Sequence, residues 1–317
     1  GPMVWNDDME LIIYANKLCN NFGIDTISTG VILAFAMECH QRGYLNDDDL
    51  SLEWGDKKSI LGLLEKIVYR QGIGDILAEG VRRASKKIHP DTEKFALHVK
   101  GMESARQEPR TNRGLALGHA TSNRGADHLY GLCTIDQTHN REAADLFFPG
   151  STDEILDVFS QKYKPDMIKL AEAYSAVSDA LGVCKFSTLE NYALMPKDLA
   201  EGINALDPSF HFNGESLLLA GERIVNLERM YNYRHGLRRK DDLLPERFTK
   251  EPVSLREEVD GVLTDKIYIK DLVVDIDEML DGYYALRGWT ADGVPTVAKL
   301  KELGLEDLIK DLVGEKL

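Results

Sequence analysis

Cys184 stands in "DALGVCK" (179–185), two residues past the glycine that ends a helical pattern. The stretch "NNFGIDT" (20–26) repeats the arrangement: an amphipathic helix stops at Gly23, a branched aliphatic residue follows, then a carboxylate. The shared pattern is [N/D]-x-x-G-[I/V]-[D/C]-[T/K]. It runs Asn20, Gly23, Ile24, Asp25, Thr26 in one copy and Asp179, Gly182, Val183, Cys184, Lys185 in the other. Glycine just past a helix accepts positive φ and turns the chain sharply. The aliphatic residue anchors the turn, and the carboxylate, thiol and freed backbone groups face outward from a rigid base. That geometry suits a ligand with many ring nitrogens, and two such turns can clasp a ligand with two equivalent halves. Ordinary helix endings share the glycine-aliphatic signature, so the pattern by itself leaves both readings open.

The other reactive side chains are less organised. Cys19, Cys39, Cys133 and Cys184 are scattered and form no CxxC pair. They do not read as a disulfide framework, nor as a self-sufficient zinc or iron–sulfur site. Each alone reads as a small buried hydrophobe. The absence of a ligand cluster also counts against a zinc hydrolase. His128 in "NRGADHL" reads as a loop residue, His119 and His139 receive no role, and Arg110, Arg113 and Arg124 read as solvated loop arginines.

Helices must position these groups. Apolar residues near a period of 3.6 predict helices in "NDDMELIIYANKLCNNFG" (Asn6 as cap), "GVILAFAMECHQRG" (Thr26 or Ser28 as cap), "KKSILGLLEKIVYRQG" (stopped by Gly72) and "GDILAEGVRRASKKI". Further helices are expected in "STDEILDVFSQKYK", "PDMIKLAEAYSAVSDALG", "NGESLLLAGERIVNLERMYNYRHG", "DIDEMLDGYYALRGW" and "VPTVAKLKELGLEDLIKDL". From about 95 to 135 the chain is rich in Gly, Arg and Asn without a clear period and reads as a long functional loop, with a domain boundary near 97. "KDDLLPERFTKEPV" reads as a polar connector and "TDKIYIKDLVV" as a short strand or hairpin arm. The fold class is mostly α.

The 317 residues suffice for two domains. Lys plus Arg total 38 against 53 Asp plus Glu, a formal net charge of −15, which repels phosphate backbones and argues against non-specific nucleic-acid binding. No apolar run is long enough for a transmembrane helix. The opening "GPM" reads as a tag-cleavage scar, no signal peptide is seen, and a reducing cytoplasm is the expected location.

The strings "ANKLCNNFGIDTISTGVILAFAMECHQRGYL", "EKIVYRQGIGDILAEGVRRAS", "PRTNRGLALGHATSNRGADHL", "DALGVCKF", "LPERFTKEP" and "YYALRGW" occur in order across nearly all of 5–310. Together they resemble the C-terminal region of the tungsten-containing aldehyde:ferredoxin oxidoreductases. The resemblance implies two packed helical domains, domain 2 in part over 1–97 and domain 3 over 98–317. It implies a tungsten or molybdenum ion held by two pyranopterins beside a 4Fe-4S cluster, aldehyde oxidation to a carboxylic acid, and ferredoxin as electron acceptor. One branch of the family works on benzoyl-CoA reduction instead.

By the same resemblance, each helical domain offers one turn to one pterin: Asn20, Gly23, Ile24, Asp25 and Thr26 in the first, Asp179, Gly182, Val183, Cys184 and Lys185 in the second. Cys184 matches the fourth cluster ligand and His128 the active-site histidine, suited to proton transfer; Arg110, Arg113 and Arg124 could help neutralise pterin phosphates. The sequence departs from the family in lacking its CxxCxxxC motif, the Glu that partners the histidine and the β-rich first domain. It also has Asn20 where Asp is usual. The expectation is a chain that does not assemble the cofactor alone. It would be a fragment, a split subunit completed by an N-terminal domain or subunit, or a non-catalytic helical relative. Surfaces around 20–26, 110–130 and 179–186 are expected to be polar and solvent-filled.

Overall fold

The computed structural model describes residues 1–132, 134–259 and 262–312. In chain order the helices are α1 (Met9–Phe22), α2 (Thr26–Gln41), α3 (Lys57–Val68), α4 (Ile73–Leu77), α5 (Val81–Ile88), α6 (Arg113–Thr121), α7 (Thr134–Gln137), α8 (Arg141–Phe147), α9 (Thr152–Leu156), α10 (Lys164–Leu181), α11 (Pro196–Leu206), α12 (Gly214–Arg234), α13 (Glu246–Lys250), α14 (Asp277–Arg287), α15 (Val297–Glu302) and α16 (Ile309–Leu312). Two antiparallel hairpins accompany them: β1 (His98–Val99) with β2 (Met102–Glu103), and β3 (Val253–Val259) with β4 (Val262–Leu272). The predicted mostly α class is the one observed. No single helix among the described residues is long and apolar enough to cross a membrane.

The chain divides into two units. The first holds Gly1–Gln107 and Pro245–Glu251, so the boundary expected near 97 lies inside it, just before its β1–β2 hairpin. Three of its helices start on aspartates. Asp8, not Asn6, caps α1, its carboxylate accepting the Glu10 and Leu11 N–H groups at 3.0 and 3.2 Å. Asp25, not Thr26 or Ser28, caps α2, accepting from Ser28 N–H at 2.6 Å. Asp56 caps α3 through Ser59. Each cap satisfies an otherwise orphaned donor, worth about 1 kcal/mol.

Helix α2 is buried along Val31, Ile32, Leu33, Phe35, Ala36, Met37 and Cys39, and the core of this unit gathers around it. The helix expected to run to Gly72 ends at Val68; Gly72, at φ 54°, opens α4 instead. The next predicted helix is broken at Gly80, whose φ of 79° breaks helical continuity. Glu103 closes this corner, accepting from Val81 N–H at 3.0 Å and from Ser28 Oγ at 2.9 Å. The expected connector contributes α13, where Arg247 pairs with Glu38 of α2 at 2.5 Å.

The second unit holds Glu108–Leu244 and Pro252–Leu317. Its centre is α10, packed on α6, α12 and α14. Gly221 of α12 permits the close crossing: a Cβ there would lie 2.0 Å from the Ala173 carbonyl oxygen. The stretch expected to be an open loop contains α6, almost wholly buried. With every face covered there is no amphipathic period to read. Small residues fit it into place, since a Cβ on Gly118 would lie 3.0 Å from the Gly131 carbonyl oxygen.

Buried ion pairs fasten this unit. Arg287, with no exposed side-chain surface, joins the carboxylates of Glu172 and Glu222. Arg229 binds Asp242 through both terminal nitrogens at 3.0 and 2.6 Å. Lys164 meets Asp136 at 2.8 Å, and Asp136 in turn accepts from Asn112, the cap of α6.

Candidate functional site

The two glycine turns share one local conformation. Gly23 has φ 68°, ψ 33° and Gly182 has φ 68°, ψ 23°, both left-handed. In each turn the glycine N–H bonds back three residues, to Asn20 O at 3.3 Å and to Asp179 O at 3.1 Å. The following N–H bonds back five, Ile24 to Cys19 O at 3.0 Å and Val183 to Ser178 O at 2.9 Å. This double closure is the Schellman ending. The match extends to the reactive positions. Asp25 (φ −66°, ψ 129°) and Cys184 (φ −62°, ψ 126°) are both extended residues capping the next helical turn, α2 and Lys185–Ser187 respectively. Nothing lies within 4 Å of where a Cβ would stand on either glycine, so both turns are open to an approaching ligand.

The side chains of the two copies differ in employment. The Asp25 carboxylate, on an exposed residue, accepts Ser28 N–H through one oxygen and so caps α2. Asn20 donates to Asn16 O within α1. Cys184 is exposed, whereas Cys19 and Cys39 are buried as small hydrophobes; Cys133 lies outside the described residues. Lys185 is folded inward with 12% of its side chain exposed, its ammonium 2.9 Å from Asp179 and 3.1 Å from the Leu129 carbonyl oxygen. Val183 anchors the turn against the cluster of Leu132, Tyr174, Val177 and Leu189.

The Leu129 contact brings the His128 loop to the Cys184 turn. That loop is set by Asp127, which accepts Leu129 N–H at 2.9 Å and pairs with Arg124. His128 is half-buried; burial lowers its proton affinity and nearby Glu190 partly restores it. Behind it, His119 on α6 is 1% exposed, and burial together with the His128 charge pushes it down to about 4. The inner imidazole is therefore neutral at pH 7, leaving His128 as the imidazole suited to exchange a proton.

The expectation of a solvent-filled surface holds for 20–26 and 179–186, where exposed or half-exposed residues predominate, and fails for 110–130, which is mostly buried. Nor are the three loop arginines alike. Arg110 is 7% exposed and forked onto Glu108, with Nε and Nη2 both at 2.7 Å, and Arg124 is spent on Asp127. Arg113 is half-buried, and its Nε and Nη1 have no hydrogen-bond partner among the described residues. His139, whose ring bonds the Asp136 carbonyl oxygen, is structural. Among the described residues no group of three His, Cys, Asp or Glu side chains could hold a metal ion. Sequence reasoning missed Glu190, Ser175, whose hydroxyl donates to the Leu129 carbonyl oxygen, and the inward path of Lys185; all three lie far along the chain from the His128 loop, and no local pattern announces them.

The family model described as aldehyde ferredoxin oxidoreductase, domains 2 and 3, matches residues 1–305. A tungsten-containing aldehyde ferredoxin oxidoreductase of Thermococcus kodakarensis is 38% identical over 315 residues, covering 98% of this chain and 47% of that protein. The Pyrococcus furiosus protein of the same name is 36% identical over 313 residues, covering 97% and 47%. A Pyrococcus furiosus protein named aliphatic sulfonate oxidoreductase, WOR-like subunit, is 31% identical, covering 96% and 44%. The chain thus spans about half the length of the curated relatives it matches. An active-site complex of benzoyl coenzyme A reductase, solved with 1,5-dienoyl-CoA, has the same fold at a TM-score of 0.75 and 23% identity, covering 98% of this chain and 49% of that one. The chain belongs to the aldehyde ferredoxin oxidoreductase family, of which it carries domains 2 and 3.

Proposed function

We propose that this chain is the helical part of a tungsten or molybdenum bis-pyranopterin oxidoreductase that oxidises aldehydes to carboxylic acids and passes two electrons to ferredoxin in the cytoplasm. It works together with the portion of its relatives that it does not span, supplied as a domain or as a separate subunit, and is inactive without it. The observation that carries this reading is the matched pair of open glycine turns, one ending in an exposed thiol.

The residues present fit the pterins in one respect and the cluster in another. Each turn leaves open space at its glycine, so backbone groups of Gly23, Ile24 and Thr26, and of Gly182 and Val183, can approach a flat polar ring. The Asp25, Asp179 and Lys185 side chains are engaged within the protein and hold the turns in shape. For a 4Fe-4S cluster this chain offers Cys184 as one thiolate; the remaining ligands come from the companion portion, since such clusters are held by four. When bound, the metal–pterin group supplies the two-electron redox chemistry. His128, neutral at pH 7 because burial lowers its proton affinity, takes up and releases the proton at its ring nitrogen as the substrate oxygen changes charge.

Co-expression with a companion portion carrying CxxCxxxC, followed by metal analysis of the purified complex, tests this. Tungsten or molybdenum together with iron is expected, and Cys184→Ser should lower the iron content. A stable complex without any of these metals overturns the reading. The same result would favour a second reading, a non-catalytic helical module, which draws support from the inward path of Lys185 and its engagement with Asp179 and Leu129.

A further inference from the structure

The resemblance places Lys185 in the second pterin turn, but its ammonium is directed to groups of the chain itself. Lys185 follows Cys184 directly, and Leu129 follows His128 directly. The Lys185 ammonium donates to the Leu129 carbonyl oxygen at 3.1 Å and pairs with the Asp179 carboxylate at 2.9 Å. The same carbonyl accepts from Ser175 Oγ at 3.1 Å, so α10 holds it from a second side. The Lys185 carbonyl in turn accepts the N–H of Thr188 and of Glu190, each at 3.1 Å, and the Cys184 carbonyl accepts from Ser187 N–H at 2.9 Å. One side chain therefore ties the peptide beside the thiol, the end of α10 and the peptide beside the imidazole. The Asp179 side chain is half exposed and that of Lys185 nearly enclosed, so the clamp closes from inside the protein.

We propose that Lys185 is a positioning residue: its ammonium locks the Cys184 turn to the His128 loop, fixing the thiol and the imidazole relative to each other before any cofactor arrives. The inference rests on the proposed reading of Cys184 and His128 as site groups; the clamp itself is a property of the chain alone. A charge-assisted hydrogen bond to the Leu129 carbonyl adds a stronger tie to those from Asp127 and Ser175 and holds the loop in one register, and pre-set geometry is what a site built from two segments needs.

The test uses the full 317-residue chain. Lys185→Met removes the charge at similar length, and Lys185→Arg keeps two donors that can reach both oxygens. Hydrogen exchange followed by mass spectrometry reads the peptides covering 125–131 and 183–189, with α12 as the internal control. NMR of labelled histidine reads the His128 ring.

In Lys185→Met the 125–131 peptide should exchange about tenfold faster and the His128 signal should broaden or split, as expected when a charged hydrogen bond to the loop is lost. In Lys185→Arg both should return close to the wild-type values, and α12 should be unchanged throughout. Wild-type exchange in Lys185→Met, or an arginine variant as loose as the methionine one, overturns the proposal. If Lys185→Met loosens α12 as well, Asp179→Asn decides, because it weakens the clamp from its exposed end: unchanged exchange at 125–131 then overturns the proposal. None of these readouts involves a metal or a pterin. A complex that loads no metal while the clamp behaves as expected removes the functional reading alone. A complex that loads metal while the clamp test fails removes this inference alone.

Discussion

His119 gives a quantitative hold on the histidine pair. It sits on α6 with 1% of its surface exposed, and burial with the His128 charge lowers its pKa from 6.5 to about 4. A group whose folded value is depressed in this way takes up a proton on unfolding between the two values. The stability it contributes is fully present above pH 6.5 and is lost as the pH falls toward 4. Near pH 5.2 unfolding takes up about 0.9 proton at this one site. Each tenfold step in proton affinity is worth about 1.4 kcal/mol, so the whole window amounts to about 3 kcal/mol.

The perturbation is His119→Gln, which keeps a polar side chain without a titrating one. Urea unfolding at intervals from pH 4.5 to 7 measures the slope of stability against pH. Half-buried His98 and His128, whose proton affinities burial also lowers, contribute to that slope in both proteins, so the difference between them isolates His119. The wild-type slope should exceed that of the variant by about 1 kcal/mol per pH unit near pH 5.2. Equal slopes, or an NMR titration placing His119 near 6.5, would refute the picture of a neutral inner imidazole behind His128.

Arg287→Met should cost about 3 to 5 kcal/mol in urea unfolding, because it strands the Glu172 and Glu222 carboxylates in the interior. Adding Glu172→Gln and Glu222→Gln should recover most of that loss, and a cost below about 1 kcal/mol for the single change would count against a buried charged triad. Asp25→Ala should destabilise the first unit by about 1 kcal/mol, whereas Asp25→Asn, an equally good cap, should stay within a few tenths. Equal losses in thermal unfolding of the two variants would show that the carboxylate charge does more there than cap α2.

What was legible in the sequence was local. Gly23 and Gly182 announce their turns because a left-handed residue at a helix end is a single-residue requirement that glycine meets without strain. The long helices α10 and α12 show through their periodic apolar faces, and β4 through its run of strand-forming residues. The family, too, was readable, because its strings lie at these same turns and helices.

What only the tertiary structure decided was everything that depends on partners distant in the chain. Helix α6 hid because it is buried on all sides, so no polar face marks its period. The aspartate caps competed with neighbouring Asn, Thr and Ser residues of similar propensity, and only the backbone path chose among them. The residue types of Asp179, Lys185 and Leu129 gave no sign that one ammonium would join all three, nor those of Glu172, Glu222 and Arg287 that they would meet in the core. Helix ends are governed by torsional preferences carried by a few consecutive residues. Charge pairing in an interior depends on which surfaces the packed helices bring within hydrogen-bond reach, and that is a property of the folded chain.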